Sequence, residues 1–574
     1  MDSKLNRSVI DISICSRSIS DQNSSETGKE SHEKKFLDKN FTTKRHLKSR
    51  HIQLIAIGGS IGTGLFVTIA TGLIKGGAAG LLIATVFWTC VMLLLTSAVG
   101  EMVVQYPAPS PFVEMAGRCI DEAVECAAGW NFFLMEALYI PFEITAVSSI
   151  IDFWRDDYSA AIPISIIIAL YTAINVFNVK YFGESEFWLS IGKLILCVGL
   201  LFFTLITMCG GNPAHDAFGF RYFKIDPFGS GYVTTGGLGK FEGWLGALFQ
   251  ANFFVVGPEY ISMIANEAHY PVRKNLSTCF KTVIWRLCLF YIGGALSVGI
   301  LIAYNNPTLV AANTAGESSA AASPYVIAME NLNIKVLPDI VNAIILLSAL
   351  SAGNSYFFCS SRQLYSLSKR GFAPAFFQIC TSSGVPIFCI LVVIAFACLS
   401  FMELGTGGSL TALTYITSIC TKSQMLNYLY MGVTYIAFYH ACKAQGIDKS
   451  TYAYRSWFQP YSAYIVTFFL LVLCGVQGYT VFLPGWWSVE DFIFYYIMIF
   501  VNVAIYIFWK VIKRTPFRKS SEVDLVSGLK EIEEYEYEHF KIAEEAQINS
   551  DTDSEDYKKK NAKEIFNNVK TWIF

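Results

Sequence analysis

From residue 51 to residue 512 the chain repeats one pattern: an apolar run about as long as a bilayer is thick, then a short polar break. A membrane-spanning helix needs about 20 mostly apolar residues. Twelve such runs are read at 52–74, 80–105, 125–151, 160–179, 187–209, 243–265, 280–303, 336–358, 385–403, 409–438, 462–483 and 489–512. The run at 125–151 is the least regular, because it carries Glu136, Pro141 and Glu143. No segment alternates with the ten-residue rhythm of a membrane β-barrel. The pattern predicts an all-α polytopic membrane protein with twelve transmembrane helices.

The pattern stops at both ends. Residues 1–50 form a Ser/Lys/Asp-rich tail expected to be disordered, residues 51–512 the helical domain, and residues 513–574 a second charged tail. The second tail holds EIEEYEYEHF, which has the composition of an amphipathic helix, and then SDTDSED. Basic residues near the run ends give the orientation. One side collects Lys44, Arg45, Lys48, Arg50, Arg273, Lys274, Arg362, Lys369, Arg370, Lys443, Lys449, Arg455, Lys513, Arg514, Arg518 and Lys519. The opposite segments 304–334, 404–408 and 484–488 hold no Lys or Arg, although the longer 210–241 loop holds Arg221, Lys224 and Lys240. Both termini are therefore expected in the cytosol. The sequons at Asn6, Asn23, Asn40 and Asn275 all fall on that side, and no secretory signal peptide precedes the first run.

Composition excludes more than it proves. Of 574 residues, 53% are hydrophobic and only 15% charged, against about 25% charged in soluble proteins. The 15 cysteines form no C-x-x-C pair and read as small buried apolar residues, not as a disulfide or metal framework. There is no P-loop, H-E-x-x-H or nucleophile elbow, and no inter-run segment is long enough for a nucleotide domain. An enzyme with catalytic residues, a cofactor, a bound metal and a nucleic-acid partner are thereby all unexpected. Secondary transport, channel or receptor activity remains.

Two runs are interrupted. HIQLIAIGGSIGTGLFVTIATGLI places Gly58, Gly59, Gly62 and Gly64 in the middle of the first, and each costs about 1 kcal/mol of helix stability relative to alanine. In hydrocarbon, unwound backbone persists only where it lines a cavity, and broken transporter helices offer their freed N–H and C=O groups to substrate and ions. Ser60 and Thr63 add hydroxyls. The alternative is a small-residue packing face. The sixth run contains FQANFFVVGPEYISM, where Gly257 and Pro258 interrupt the helix beside Glu259. Interruptions in the first and sixth positions are what a five-plus-five inverted repeat predicts.

The motifs IGGSIGTGLF, GEMVVQYP, YFGESEFW, GNPAHDAFGFRYF and SSRQLYSLSKRGFAP, over about residues 43–520, resemble the fungal amino-acid permeases of the amino acid–polyamine–organocation superfamily. IPFEITAVSSIIDFWRDDYSA, NLNIKVLPDIVN, RSWFQPY and QGYTVF resemble most the yeast subgroup associated with carnitine and polyamine uptake. The resemblance implies a LeuT-like fold with two additional helices and proton-coupled import at the plasma membrane. It also implies that Ser60, Ile61, Gly62, Thr63 and Gly64 face a substrate carboxylate, at the positive end of a half-helix beginning near Leu65. Many fungal permeases carry a small hydroxyl residue where Pro258 stands here. That departure leaves room for a quaternary ammonium or polyamine, with Phe253 and Phe254 as cation–π partners.

Ionisable residues inside a span are functional candidates by default, since each costs at least about 2.5–3.5 kcal/mol on insertion scales. The resemblance places Lys193 where prokaryotic relatives hold a cation near the first and eighth helices, making it a proton-linked cation surrogate with Ser351 as its neighbour; the alternative is snorkelling to the interface. Glu136 and Glu143 lie two turns apart on one helix face, and either could carry a proton or bind an ammonium. Glu143 matches the family's Pro-x-Glu position. Glu259 either helps bind a cation or caps freed backbone. The partners expected are a small-molecule substrate (amino acid, carnitine or polyamine), protons, the bilayer, and trafficking or ubiquitination machinery at the tails. The rival class is a nutrient sensor that keeps the permease fold without transporting.

Overall fold

The computed structural model describes residues 61–550, apart from 108–109, 156, 178, 266–267, 269, 315–322, 382–383, 406–407, 457 and 528. Ser60, Gly58, Gly59, the tail at 1–50 and the segment 551–574 lie outside the described residues. Helices account for the architecture: α1 (Gly64–Gln105), α2 (Pro111–Cys119), α3 (Glu122–Ile151), α4 (Ala161–Phe177), α5 (Val179–Met208), α6 (Gly236–Phe254) and α7 (Glu259–Ile264). They continue with α8 (Val272–Leu301), α9 (Leu337–Lys369), α10 (Ile387–Leu404), α11 (Gly408–Ala444), α12 (Tyr461–Val476), α13 (Val489–Lys513) and α14 (Leu529–Ser550). No strand occurs among the described residues. Among the described residues, seven helices are long and apolar enough to cross a membrane: Gly64–Gln105, Glu122–Ile151, Gly183–Met208, Val272–Leu301, Leu337–Lys369, Ile387–Leu404 and Val489–Lys513. Ala161–Val176 and Tyr461–Val476 are shorter apolar helices.

From Gly64 on, the first apolar run continues into the second as one bent unit. At Gly77 the backbone leaves helical geometry (φ 69°, ψ 177°), and a Cβ there would stand 2.7 Å from both the Gly229 nitrogen and the Pro227 oxygen. Only glycine satisfies both the positive φ and the contact. The opening turn Gly64–Thr68 is wider than an α-helical one: the Ile69 N–H reaches the Gly64 carbonyl, and the Thr68 hydroxyl donates to the same oxygen at 3.1 Å. Asp121 caps α3 by accepting from the Ala123 N–H at 3.1 Å. Pro141 sits inside α3 and supplies no N–H to the Ala137 carbonyl.

Burial separates an inner from an outer set of helices. In the apolar window of α3, 78% of residues are buried, against 11% for α13. The main packing runs α1 along α6 and α3 along α9 and α11. Ile195 and Phe202 on α5, and Phe500 and Phe508 on α13, point outward as a lipid-facing surface requires. Beyond α13 the chain turns back over one end of the bundle. The Arg518 N–H donates to the Ile120 carbonyl (2.9 Å), Gln445 to Val523 (2.7 Å) and the Tyr106 hydroxyl to Leu525 (2.7 Å), with Val523 and Leu525 buried. Helix α14, which contains EIEEYEYEHF, then brings Glu536 and Glu533 to Arg273, at 3.5 and 3.8 Å.

Candidate functional site

The two interruptions meet the charged helix α3 inside the bundle. Before α1, Ile61 and Thr63 are buried and Gly62 is half-buried. The Thr63 hydroxyl donates to Glu143 Oε1 at 3.1 Å. The unwound Ile61 carbonyl accepts from the Ser348 hydroxyl of α9 at 3.3 Å, and the Phe66 carbonyl from Ser323 at 2.9 Å. These side chains do what the missing helical partners cannot, as an irregular backbone in a dry interior requires.

The glycines admit neighbouring helices. A Cβ on Gly62 would stand 2.8 Å from Glu143 Oε1 and 3.0 Å from the Ala352 methyl; one on Gly64 would stand 2.9 Å from Phe254 Cβ. Gly62 therefore lets α3 and α9 close on the break, and Gly64 lets α6 do so. Phe254 is a packing wall against α1. Phe253 instead joins an aromatic cluster, 5.5 Å from Tyr139 and 5.2 Å from Phe142 between ring centroids.

The second break runs between the end of α6 at Phe254 and the start of α7 at Glu259. Tyr428 of α11 organises it. Its hydroxyl accepts from the Gly257 N–H (3.1 Å) and from Gln424 (2.7 Å), and donates to Glu259 Oε1 (2.7 Å). That exhausts a hydroxyl's hydrogen-bonding capacity. Tyr139 of α3 donates to Gln424 at 2.6 Å, so α3, α7 and α11 share one chain of hydrogen bonds. A Cβ on Gly257 would stand 2.9 Å from Met92 Sδ and 3.0 Å from Glu259 Oε2, which explains the glycine.

Lys193 of α5 is buried and lies within electrostatic reach of Glu186 and Glu143. The Ser351 hydroxyl donates to Glu186 Oε2 at 2.7 Å, with Asn354 at 3.5 Å from Oε1. Glu186 thus joins α5 to α9 beside Lys193. Glu136 and Glu143 share a helix, yet each has its own surroundings. Glu143 meets Thr63 and Lys193, Glu136 lies near Glu259, Tyr139 and Tyr260, and Tyr356 is within reach of both.

Sequence reasoning missed Glu186 because hydropathy starts the fifth run at residue 187, whereas α5 starts at Val179. It also missed Lys422, which the rule that singled out Lys193 would have found. Lys422 is fully buried on α11 and donates to the carbonyls of Cys474 (2.7 Å) and Gln477 (3.2 Å) at the C-terminal end of α12, with the Tyr496 ring 4.9 Å away. A cation at a helix C-terminus is favourably placed, so this lysine holds two helices together. Among the described residues no group of three or more His, Cys, Asp or Glu is arranged to hold a metal.

The chain is similar in sequence to known transport proteins. A general amino acid permease of Saccharomyces cerevisiae is 43% identical over 494 residues, covering 85% of this chain and 83% of that protein. A proline-specific permease of Emericella nidulans is 37% identical, covering 84% and 88%. A basic amino-acid permease of Saccharomyces cerevisiae is 34% identical, covering 84% of each. Among solved structures, a mutant manganese transporter of Eremococcus coleocola superimposes with a TM-score of 0.51 at 12% identity, over 83% of this chain and 98% of that one, and so shares the fold. The profile of the amino acid permease family matches residues 51–522. The chain belongs to the amino acid permease family, whose members are transporters and not enzymes.

Proposed function

We propose that this chain is a proton-coupled importer of amino acids or related organic cations, carnitine and polyamines among them, at the plasma membrane with both termini in the cytosol. The observation that carries the reading is the contact of Glu143 with the broken start of α1: a buried carboxyl on Thr63, beside the buried Lys193. In a five-plus-five inverted repeat, such a junction links the substrate's seat to the groups that change protonation. The N–H groups at Ile61–Gly64, with Ser60 before them, would receive a substrate carboxylate at the positive end of α1. Phe253, Gly257 and Glu259 would form the opposite wall, with Phe254 behind it. Lys193 and Glu143, together with the Ser351–Glu186 pair, would carry the proton that lets the bundle rock.

Uptake of radiolabelled amino acids, carnitine and spermidine into proteoliposomes, with and without an inward proton gradient, tests this. Gradient-dependent accumulation of at least one of them is the expected result; binding without accumulation of any would overturn the transport reading. One observation favours a second reading, the nutrient sensor. The segment between α13 and α14 is fastened to Tyr106, Arg118 and Gln445 on the bundle, which would let a change inside it reach the tail.

A further inference from the structure

Glu136 stands out among the buried acids. It is 0% exposed, and neither of its carboxylate oxygens has a hydrogen-bond partner. Buried polar groups in native proteins are nearly always bonded, and the exceptions call for an explanation. A packing role does not supply one, because a glutamate that only fills space would leave its carboxylate desolvated with nothing in return. The nearest ionisable neighbours are informative. Glu259 of α7 is the charge acting on Glu136, and its own Oε2 is also unpartnered, Oε1 being taken by Tyr428. The rings of Tyr139, Tyr356 and Tyr260 bound the same space: Tyr139 stacks on Tyr356 at 4.8 Å, and Tyr260 lies 6.0 Å from Tyr356.

Two acids and three electron-rich rings form a cation's surroundings. Two carboxylates that feel each other repel unless a proton or another cation comes between them, and aromatic faces favour a positive charge. The geometry also selects the kind of cation. Three oxygens await donors, two on Glu136 and one on Glu259, and a primary ammonium has three N–H bonds. A trimethylammonium group has none.

Position along α3 completes the argument. Seven residues separate Glu136 from Glu143, roughly 10 Å at 1.5 Å per residue. Glu143 marks the level of the α1 break, through Thr63. A cation held at Glu136 therefore lies well away from whatever is held at the break.

Resting on the transport reading above, we propose that Glu136, with Glu259, receives a primary ammonium at the far end of an elongated substrate. The pair makes the site selective for solutes that carry such a group over those carrying a neutral side chain or a trimethylammonium.

The test is equilibrium binding of radiolabelled L-lysine, L-alanine and L-carnitine to the purified full-length chain, wild type and Glu136→Gln, with thermal stability measured alongside. The proposal expects wild type to prefer L-lysine, and Glu136→Gln to lower the lysine-to-alanine affinity ratio about tenfold, since charged hydrogen bonds are roughly twice as strong as neutral ones. Glu136→Asp, which keeps the charge on a shorter stem, should recover part of the ratio at a stability like that of Glu136→Gln. An unchanged ratio in Glu136→Gln, or a wild type that prefers L-carnitine or L-alanine, overturns the assignment while leaving transport standing. A wild type that binds none of the three overturns the assignment, and the uptake screen above then decides the transport reading separately.

Discussion

Two sets of buried charges in this molecule are treated in opposite ways. At the end of the bundle where the C-terminal segment lies, each acid is closed off. Glu101 accepts from Tyr435, from Lys449 (3.1 Å) and from the Ser456 N–H (3.0 Å). Asp121 holds Lys510 and the Ala123 N–H, and Arg370 bridges Glu114 (2.5 Å) and Glu125. In the interior around the two helix breaks, Glu143 Oε2, Glu259 Oε2 and both oxygens of Glu136 have no partner. The desolvation of a buried charge is offset only when its remaining hydrogen-bonding positions are filled. Closed acids contribute to the stability of the fold, and the open ones around the breaks are those that the proposals above assign to substrate and protons. Neither burial nor charge separates the two sets; completeness of hydrogen bonding does.

The comparison breaks most visibly where a closed network is opened. Arg370→Ala leaves Glu114 and Glu125 without their shared cation, and breaking such a buried pair costs about 3 kcal/mol. Thermal unfolding of the purified chain should show that loss, while uptake per folded molecule stays near that of wild type. A variant as stable as wild type would place these acids with the open ones.

Substitutions around the breaks should reverse the pattern. Lys193→Met keeps the apolar stem and deletes the charge facing Glu143 and Glu186, so gradient-driven accumulation in proteoliposomes should fall more than tenfold, with slow exchange retained. Stability should fall less than in Arg370→Ala, because the desolvated ammonium goes together with the charge it offsets and Glu186 keeps its bond from Ser351. Accumulation at the wild-type level would take coupling away from Lys193. A smaller effect belongs to Glu143→Gln, which keeps the shape and the Thr63 contact but cannot change charge. Uptake should drop about tenfold and lose its dependence on external pH, with stability changed by less than about 1 kcal/mol. A variant with wild-type uptake and pH profile would return Glu143 to packing.

The smallest effect sharpens the comparison, because it concerns a lysine in a membrane helix that the structure closes. Lys422→Met removes the bonds to the Cys474 and Gln477 carbonyls, and should cost about 1 kcal/mol of stability with substrate affinity unchanged. A large loss of affinity at full stability would move Lys422 into the machinery around the breaks.

What could be read from the chain alone is what depends on local composition. Long apolar runs dictate membrane helices, because lipid leaves backbone groups no other partner. Gly62, Gly64, Gly257 and Pro258 mark where helices cannot continue, because glycine and proline act through their own backbone. Lys193, Glu143 and Glu259 announce themselves by the cost of a charge in hydrocarbon. The tertiary structure decided what each charge faces, which no periodicity encodes. Ser351 donates to Glu186, which hydropathy had left just outside a span, because the helix begins before its apolar run does. Lys422 and Lys193 are equally buried lysines in sequence terms, yet one ends on carbonyls of α12 and the other faces carboxyls. Glu136 and Glu143 share a helix face by spacing, and only packing against α7 and α1 gives them different neighbours. Contacts between residues far apart in the chain depend on how helices cross, and that is settled by the whole set of packed surfaces at once.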